Sequence, residues 1–301
     1  MPLLHRLILS SIAALTLGAA AEPSRVMPLE GAARSVLVLP EQTLLDIAFE
    51  ERLGFDAIQR LNPTLDPWIP LPGSVVRLPT RYVLPPVEPT GLVINVPEMR
   101  LYDFTTDPHE VFAAAIGDQA DPSLLGAYRI GDKRKDPAWH VPASIRAEEP
   151  QLPAVVPPGP DNPLGSRWMT IGSTSYGLHG TNVRWSIGRL ATHGCIRLYD
   201  DEVARLYDRT PTGTPIRLVY EPFKWGLDGR NLYLEVHPDV YARHPDRLTD
   251  ALRTLNAERM LPFIELESVW RALEEARGVP ILVGQLPRSL GDGAATSPPT
   301  S

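Results

Sequence analysis

Apolar residues in the middle of the chain occur in short runs separated by Pro, Asp and Gly, which is typical of strands joined by turns. The runs predict strands over residues 91–96, 100–104, 111–117, 126–130, 167–171 and 216–220. Short strands of this kind favour a mainly antiparallel sandwich or barrel-like sheet. The fold class predicted for this region is therefore mainly β.

Within this β region, residues 133–166 lose the strand period and contain eight prolines. A loop of this length inside a compact domain is usually functional or disordered. One interpretation is a proline-stiffened excursion over the surface, and a second follows below from a family resemblance.

A different pattern precedes the β region, because residues 35–80 alternate between the strand and helix periods. The predicted elements are a strand at 35–39, helices at 43–52 and 56–61, and a strand at 73–79. Thr43 is the predicted N-cap of the first helix, and Gly54 is predicted to end it. Residues 80–90 carry three prolines and predict a semi-rigid connector.

The part of the chain after the β region is less regular. Residues 231–236 predict a strand, and residues 246–260 and 267–277 predict amphipathic helices. We interpret residues 221–290 as a small α/β appendage. The final segment, 291–301, is rich in Ala, Thr, Ser and Pro and is predicted to be disordered.

The first 21 residues have the features of an export signal: a short positive start, an apolar run and three alanines before Glu22. The apolar run is shorter than the roughly 20 residues that a membrane-spanning helix needs, which argues against an uncleaved anchor. The mature protein is therefore expected in the periplasm, without a membrane span.

Composition excludes some functions. A net charge of −7 gives no support for nucleic-acid binding. The single cysteine, Cys195, leaves no intramolecular disulfide, so its thiol is free in an oxidising compartment. No metal site or cofactor is expected, because no acidic ligand accompanies the histidines near this cysteine.

Cys195 lies in a stretch that also contains His179 and His193. A lone cysteine is more often a small buried apolar residue than a nucleophile. Here, however, Gly194 precedes the thiol and Gly180 follows His179, and glycine permits close backbone approach to a ligand. Since a thiol with an ordinary pKa needs a base, the two histidines favour a nucleophilic role.

The same stretch resembles the signature of the L,D-transpeptidase catalytic domain, the YkuD family. The matching pieces are His-Gly-Thr-Asn at 179–182, Ser-Ile-Gly at 186–188 and Thr-His-Gly-Cys-Ile-Arg-Leu at 192–198. The predicted catalytic domain spans residues 89–220. The resemblance implies the β-rich fold already predicted, and it favours a lid or cleft edge for the proline-rich segment 133–166.

Residue by residue, the resemblance implies that Cys195 is the nucleophile and His179 the base, oriented by the Gly180 carbonyl. Backbone N–H groups at Gly194 and Cys195, with His193, are expected to form an oxyanion hole. Arg197 either binds a substrate carboxylate or forms a structural ion pair with Asp200 or Asp201. The remaining substrate-side candidates are Tyr176, Thr181 and Asn182, of which the last two are expected to shape the loop.

The N-terminal pattern, residues 35–80, is similar to a LysM module, which binds N-acetylglucosamine-containing glycans. The matching pieces are Thr-Leu-Leu-Asp-Ile-Ala at 43–48 and Leu-Asn-Pro at 61–63, whereas Glu41-Gln42 stand where Gly-Asp is usual. The alternative is a spacer that no longer binds glycan.

The implied function is transfer of a peptidoglycan stem peptide. Cys195 is expected to attack the residue-three carbonyl of a tetrapeptide stem, to release D-alanine and to form a thioester. The acceptor remains open between a stem diamino acid, which gives a 3-3 crosslink, and a lysine of an envelope lipoprotein. Alternatives are an L,D-carboxypeptidase, a silent peptidoglycan-binding protein and, with less support, a protein-directed cysteine peptidase.

Overall fold

A computed structural model describes residues 25–288 of this chain. The predicted export signal, 1–21, and the predicted disordered tail, 291–301, lie outside the described residues. Among residues 25–288, no helix combines the length and the apolar character needed to cross a bilayer.

Strands outnumber helices in the described part, in agreement with the predicted fold class. The strands are β1 (Val26–Gly31), β2 (Arg34–Leu37), β3 (Val75–Leu78), β4 (Arg81–Val83), β5 (Leu92–Asn95), β6 (Arg100–Asp103), β7 (Glu110–Ala113), β8 (Ile116–Gly117), β9 (Gly126–Lys135), β10 (Trp139–His140), β11 (Val155–Val156), β12 (Arg167–Ile171), β13 (Gly177–His179), β14 (Leu190–Thr192), β15 (Ile196–Arg197), β16 (Pro215–Val219), β17 (Phe223–Asp228), β18 (Asn231–Val236) and β19 (Pro280–Gln285). The α-helices are α1 (Leu44–Glu50), α2 (Phe55–Leu61), α3 (Ala143–Glu148), α4 (Asp200–Arg209), α5 (Arg247–Ala257) and α6 (Leu266–Glu275).

The central sheet has eight strands in the order β15-β13-β12-β9-β16-β5-β6-β7. Most neighbours are antiparallel, while β16–β5 and β13–β15 are parallel. The apolar residues that alternate along these strands form the main core with helix α4. Its buried members include Leu92, Ile94, Leu101, Phe112, Ile130, Met169, Leu178, Ile196 and Leu206.

The proline-rich segment 133–166 contains regular structure. Its first residues belong to β9, and β10 pairs with β11 in a short hairpin that flanks α3. The Asn162 side chain is buried and donates to the carbonyl oxygens of Pro137 at 2.9 Å and Pro157 at 3.0 Å. This amide holds the two ends of the hairpin together.

Residues 34–78 form a small N-terminal module in the order β2, α1, α2, β3, with β2 antiparallel to β3. Thr43 caps α1 as predicted, since its hydroxyl accepts from the Asp46 amide at 3.1 Å. The prediction that Gly54 ends the first helix is wrong: α1 ends at Glu50, and Gly54 is the N-cap of α2. Glycine suits this position because the backbone of Gly188 lies against it: a Cβ atom at residue 54 would be 2.9 Å from the Gly188 Cα atom.

The C-terminal sheet has five strands in the order β19-β18-β17-β1-β4. Strands β1 and β4, which flank the N-terminal module in sequence, belong to this sheet, so it extends beyond the α/β appendage predicted at residues 221–290. Helices α5 and α6 cover this sheet around the buried Trp225. The N-terminal module is therefore an insertion between two strands of the C-terminal sheet.

A buried group of charged side chains, which we call the ion cluster, joins the central and C-terminal sheets. The Lys224 Nζ atom lies 2.8 Å from Glu98 and 3.0 Å from Glu235. Arg100 also pairs with Glu98 at 2.9 Å, and His237 lies 2.7 Å from Glu235. Because each charge is paired, the cluster fixes how the two sheets meet.

Candidate active site

Strands β13 and β15 bring the predicted catalytic residues together. They run parallel, with His179 opposite Arg197, and Cys195 directly precedes β15. Side chains of opposed residues in a parallel pair share one face, and alternate residues along a strand share it too. Cys195, His179 and Arg197 therefore belong to one face of the sheet edge.

His179 is 3% exposed, and its Nδ1 atom lies 2.6 Å from the carbonyl oxygen of Gly180. The ring stacks on Trp168 at a centroid distance of 5.6 Å. Burial, reinforced by the positive charge of Arg197, lowers the pKa of His179 to about 3, although backbone hydrogen bonds to Gly180 and Leu164 oppose this shift. Donation from Nδ1 leaves Nε2 as the basic nitrogen.

Cys195 is a free, half-buried thiol. Burial raises its pKa, while the backbone of Gly177 and the charge of Arg197 act in the opposite direction. No hydrogen bond joins the Cys195 thiol and the His179 ring in the described part of the chain. The two pKa shifts favour a neutral thiol and a neutral imidazole.

Close contacts define the turn before Cys195. Gly194 has φ +93°, and a side chain on it would collide with the Tyr176 ring. Thr192 Oγ1 donates to the Cys195 carbonyl at 2.6 Å. Tyr176 therefore lies against the backbone that is predicted to stabilise an oxyanion.

Arg197 has no ion-pair partner among residues 25–288, and its Nε atom is buried without a hydrogen bond. The two acids considered as partners bond elsewhere. Asp200 accepts from the Ser166 amide at 2.7 Å, and Asp201 pairs with Arg52 at 3.0 Å. The structural ion pair is absent, which leaves the Arg197 guanidinium available to a substrate carboxylate.

Two other predicted residues contact the proline-rich segment. His193 Nε2 lies 3.4 Å from the Glu148 carboxylate at the end of α3. Asn182 Nδ2 donates to the Asp161 carbonyl at 3.0 Å. Together with the Leu164 backbone at His179, these contacts make the segment one border of the site.

Thr181 shapes the catalytic loop, since its buried hydroxyl accepts from the Val183 amide at 2.9 Å.

Two contacts beside His179 were not predicted from the sequence. The first is the stacking of Trp168 on the His179 ring. Asp200 lies directly behind Gly180, where any side chain on that glycine would collide with its carboxylate. A glycine after the catalytic histidine was the available signal for this close approach.

A candidate metal-ligand group lies in the ion cluster rather than at the thiol. Glu98, Glu235 and His237 offer ligand atoms within 4.8 Å of one another. The Lys224 ammonium lies beside both carboxylates and supplies the positive charge that they require. This arrangement fits an ion-pair network better than a metal centre.

A mainly β domain that gathers a lone thiol, a buried imidazole and an unpaired arginine has the organisation of a cysteine acyl-transfer enzyme. The family model for the L,D-transpeptidase catalytic domain (YkuD) matches residues 89–218. The chain belongs to this family, which confirms the resemblance of the stretch around Cys195.

Two curated relatives come from Escherichia coli K12. The probable L,D-transpeptidase YbiS is 32% identical over 268 residues, covering 82% of this chain and 86% of YbiS. The probable L,D-transpeptidase YcfS is 36% identical over 213 residues, covering 66% of each chain. Among solved structures, the Ldtfm-avibactam carbamoyl enzyme aligns over 48% of this chain and 54% of its own, with 18% identity and a TM-score of 0.36.

Proposed function

We propose that this enzyme is a periplasmic peptidoglycan L,D-transpeptidase that uses Cys195 to transfer a tetrapeptide stem. The observation that supports the proposal is the β13–β15 register, which pairs His179 with Arg197, two residues after Cys195. Export through the signal predicted at residues 1–21 would bring the enzyme to its substrate.

In the first half-reaction, the Cys195 sulfur bonds to the residue-three carbonyl carbon while His179 Nε2 takes the thiol proton. The backbone N–H groups of Gly194 and Cys195, assisted by His193, stabilise the oxyanion. Loss of one such donor typically costs about 3 kcal/mol of transition-state stabilisation. The carbon–nitrogen bond to D-alanine then breaks, and the imidazolium returns its proton to the leaving amine.

In the second half-reaction, an acceptor attacks the thioester, His179 takes the acceptor's proton, and the thiol leaves and is reprotonated. A diamino-acid amine gives a 3-3 crosslink, a lysine of an envelope lipoprotein gives an anchored protein, and water gives a tripeptide. All three acceptors share the acyl-enzyme.

Substrate recognition is assigned to Arg197, with Tyr176, Thr181 and Asn182 bordering the same region. The unpaired guanidinium of Arg197 suits a carboxylate of the stem peptide, because arginine binds carboxylates through two parallel hydrogen bonds. Burial lowers the pKa of this group, so a bound anion would also relieve an unfavourable charge.

The N-terminal module is proposed to bind the glycan as a LysM-like domain. Support comes from Trp68, which is exposed and stacks on Phe55 at 5.6 Å, and from the exposed apolar residues Leu39, Ile69 and Leu71. Aromatic and apolar side chains on loops are suitable contacts for sugar rings. The alternative is a spacer without glycan affinity.

The test is mass spectrometry of muropeptides after incubation of disaccharide-tetrapeptide with protein lacking residues 1–21. We expect 3-3 dimers and released D-alanine from the wild type and neither from Cys195→Ala. Tripeptide alone would indicate carboxypeptidase activity or a missing protein acceptor. Unchanged tetrapeptide, from folded and reduced protein, would favour a silent binding protein.

His179→Gln is the matched variant, because it keeps the thiol while removing the base. Removal of a general base typically slows a reaction about 10²- to 10⁴-fold. An acylation rate unchanged by this substitution would exclude His179 as the base.

A further inference from the structure

The chain between the base and the nucleophile includes residues 182–189, which we call the connecting segment. Its only regular element in the structure is a 3-10 helix, Arg184–Ser186. Its internal hydrogen bonds belong to this one turn, as between the Ser186 amide and the Val183 carbonyl at 3.0 Å, so the rest of its conformation depends on neighbours. The position of Cys195 relative to His179 therefore depends on what holds the connecting segment.

The N-terminal module is packed directly on this segment. A Cβ atom on Gly54 would lie only 2.9 Å from the Gly188 Cα atom, so the two backbones touch. The Phe55 amide donates to the Ile187 carbonyl at 3.3 Å. Side chains of larger residues at 54 and 188 would separate these backbones.

Two arginines of the connecting segment also reach the module. The Arg184 guanidinium lies 4.3 Å from the centre of the Phe49 ring. Arg189 lies 4.2 Å from the centre of the Phe55 ring, and its Nε atom is 3.5 Å from the Asp56 carboxylate. Cation–π contacts of this kind contribute modestly to stability, but these two hold the segment at its 3-10 helix and at its last residue.

The module also contacts the chain that follows the nucleophile. The Tyr199 hydroxyl donates to the Leu53 carbonyl at 3.0 Å, and its ring meets Phe49 edge-on at 5.7 Å. Arg52 pairs with Asp201 at 3.0 Å. The module therefore holds the chain on both sides of Cys195.

Backbone hydrogen bonds link this interface to the sheet face that carries Cys195, His179 and Arg197. The Gly188 amide donates to the Ala114 carbonyl at 3.2 Å. The next residue, Ala115, exchanges two hydrogen bonds with Arg197, at 2.9 and 3.0 Å. Movement of the connecting segment would thus be transmitted to Arg197 and to Cys195 two residues before it.

We propose that the N-terminal module is a positioning element of the active site, which fixes the connecting segment and so sets the thiol against the imidazole. This rests on the proposed function, since it assumes that Cys195 is acylated with help from His179. A misplacement of about 1 Å can slow a reaction about 100-fold, so loosening the interface should reduce acylation without removing any group that touches substrate.

The test compares Gly54→Ala and Phe49→Ala with Leu37→Ala, whose side chain is 60% exposed on β2 of the same module. Gly54 has φ −76°, which alanine adopts freely, so the added methyl acts mainly through its clash with Gly188. Phe49→Ala is the second variant, because it removes contacts instead of adding a clash. Each variant is measured below its melting temperature.

Two readouts are combined: single-turnover acylation by tetrapeptide, and hydrogen exchange of residues 183–189. We expect about 10- to 100-fold slower acylation and faster exchange in both interface variants, with the KM for tetrapeptide nearly unchanged. Leu37→Ala should stay within about twofold of the wild type, since surface substitutions have small effects.

Wild-type acylation rates in both interface variants would overturn the proposal, as would a loss that only follows the unfolded fraction. If even the wild type fails to acylate, the proposed function is wrong. Hydrogen exchange, together with alkylation of Cys195 by iodoacetamide, would then still test the positioning role. Unchanged exchange and alkylation in all variants would reject it.

Discussion

The ion cluster and the active site both contain buried titratable groups, but they differ in whether those groups are paired with opposite charges. In the ion cluster, Lys224 lies against two carboxylates and every charged side chain has a partner of opposite sign. At the active site, Arg197 has no acid within ion-pair distance among the described residues, and His179 bonds only to uncharged groups.

The pKa shifts follow this difference. Burial alone would raise the pKa of the Glu98 carboxyl, but attraction to Lys224 and Arg100 outweighs it and holds that pKa well below its usual range. The pKa of His179 falls to about 3, because burial is not offset by any acid. Paired burial joins two sheets, whereas the buried groups at the active site remain open to the substrate proposed above.

Breaking the ion cluster should have the largest effect on stability. Lys224→Met leaves Glu98 and Glu235 buried without their shared cation, which typically costs about 3–5 kcal/mol of unfolding free energy. The measurement is urea denaturation of the wild type and the variant. Acylation per folded molecule should be unchanged.

Lys135→Met is the control, because Lys135 pairs with Asp208 at 3.6 Å with both side chains exposed. Exposed pairs contribute about 0–1 kcal/mol. A Lys224→Met variant no less stable than Lys135→Met would contradict the distinction between the two regions.

Because His179 is buried without an acidic partner among the described residues, it should make the unfolding free energy depend on pH in the acid range. Its pKa is about 3 in the folded protein and about 6.5 in the unfolded chain. Below pH 6.5, the unfolded chain binds a proton that the folded protein does not, so unfolding free energy falls by up to about 1.4 kcal/mol per pH unit. The stability associated with burying a neutral His179 is therefore fully present above pH 6.5 and is lost as the pH falls toward 3.

Glutamine does not titrate in this pH range, so the unfolded His179→Gln chain takes up no proton at this position. The variant should therefore lose less stability on acidification than the wild type. Urea denaturation at pH 7.0 and at pH 5.0 gives the comparison. A stability difference between wild type and variant that is the same at both pH values would show that His179 is not held neutral by burial.

The smallest effect is expected on the acylation rate when the contact between Glu148 and the partly exposed His193 is removed. The His193 and Glu148 side chains are 38% and 63% exposed, and their contact of 3.4 Å is long. Such pairs contribute about 0–1 kcal/mol, so Glu148→Gln should change the acylation rate less than about fivefold. Glu149→Gln, one residue along, is the control. A tenfold loss confined to Glu148→Gln would instead make α3 part of the catalytic arrangement.

Much of the active site was predictable because its residues lie close together in the sequence. The stretch from 176 to 198 contains the predicted nucleophile Cys195, the predicted base His179 and Arg197, and the glycines at 180 and 194 mark two close approaches. The stacking of Trp168 on His179 and the packing of Asp200 behind Gly180 were not predicted, since neither contact has a local pattern.

The domain boundaries were less predictable. Alternation of apolar residues identified the strands of the central sheet, but β1 and β4 were not assigned to the C-terminal sheet, because strand pairing over long separations leaves no local signal. The same limit explains Gly54: as a helix end it was a reasonable prediction, yet its packing against Gly188 decides its role.

The sequence by itself determined the family and the mainly β fold, and it predicted that a lone thiol acts with His179, because these depend on residue type and short spacing. Only the tertiary structure decided that Arg197 has no acid within ion-pair distance among residues 25–288, that Lys224 neutralises two buried carboxylates, and that the N-terminal module packs on the chain around Cys195. The physical reason is that burial and charge pairing arise between distant segments, and the same side chain is costly or stabilising according to what the fold brings beside it.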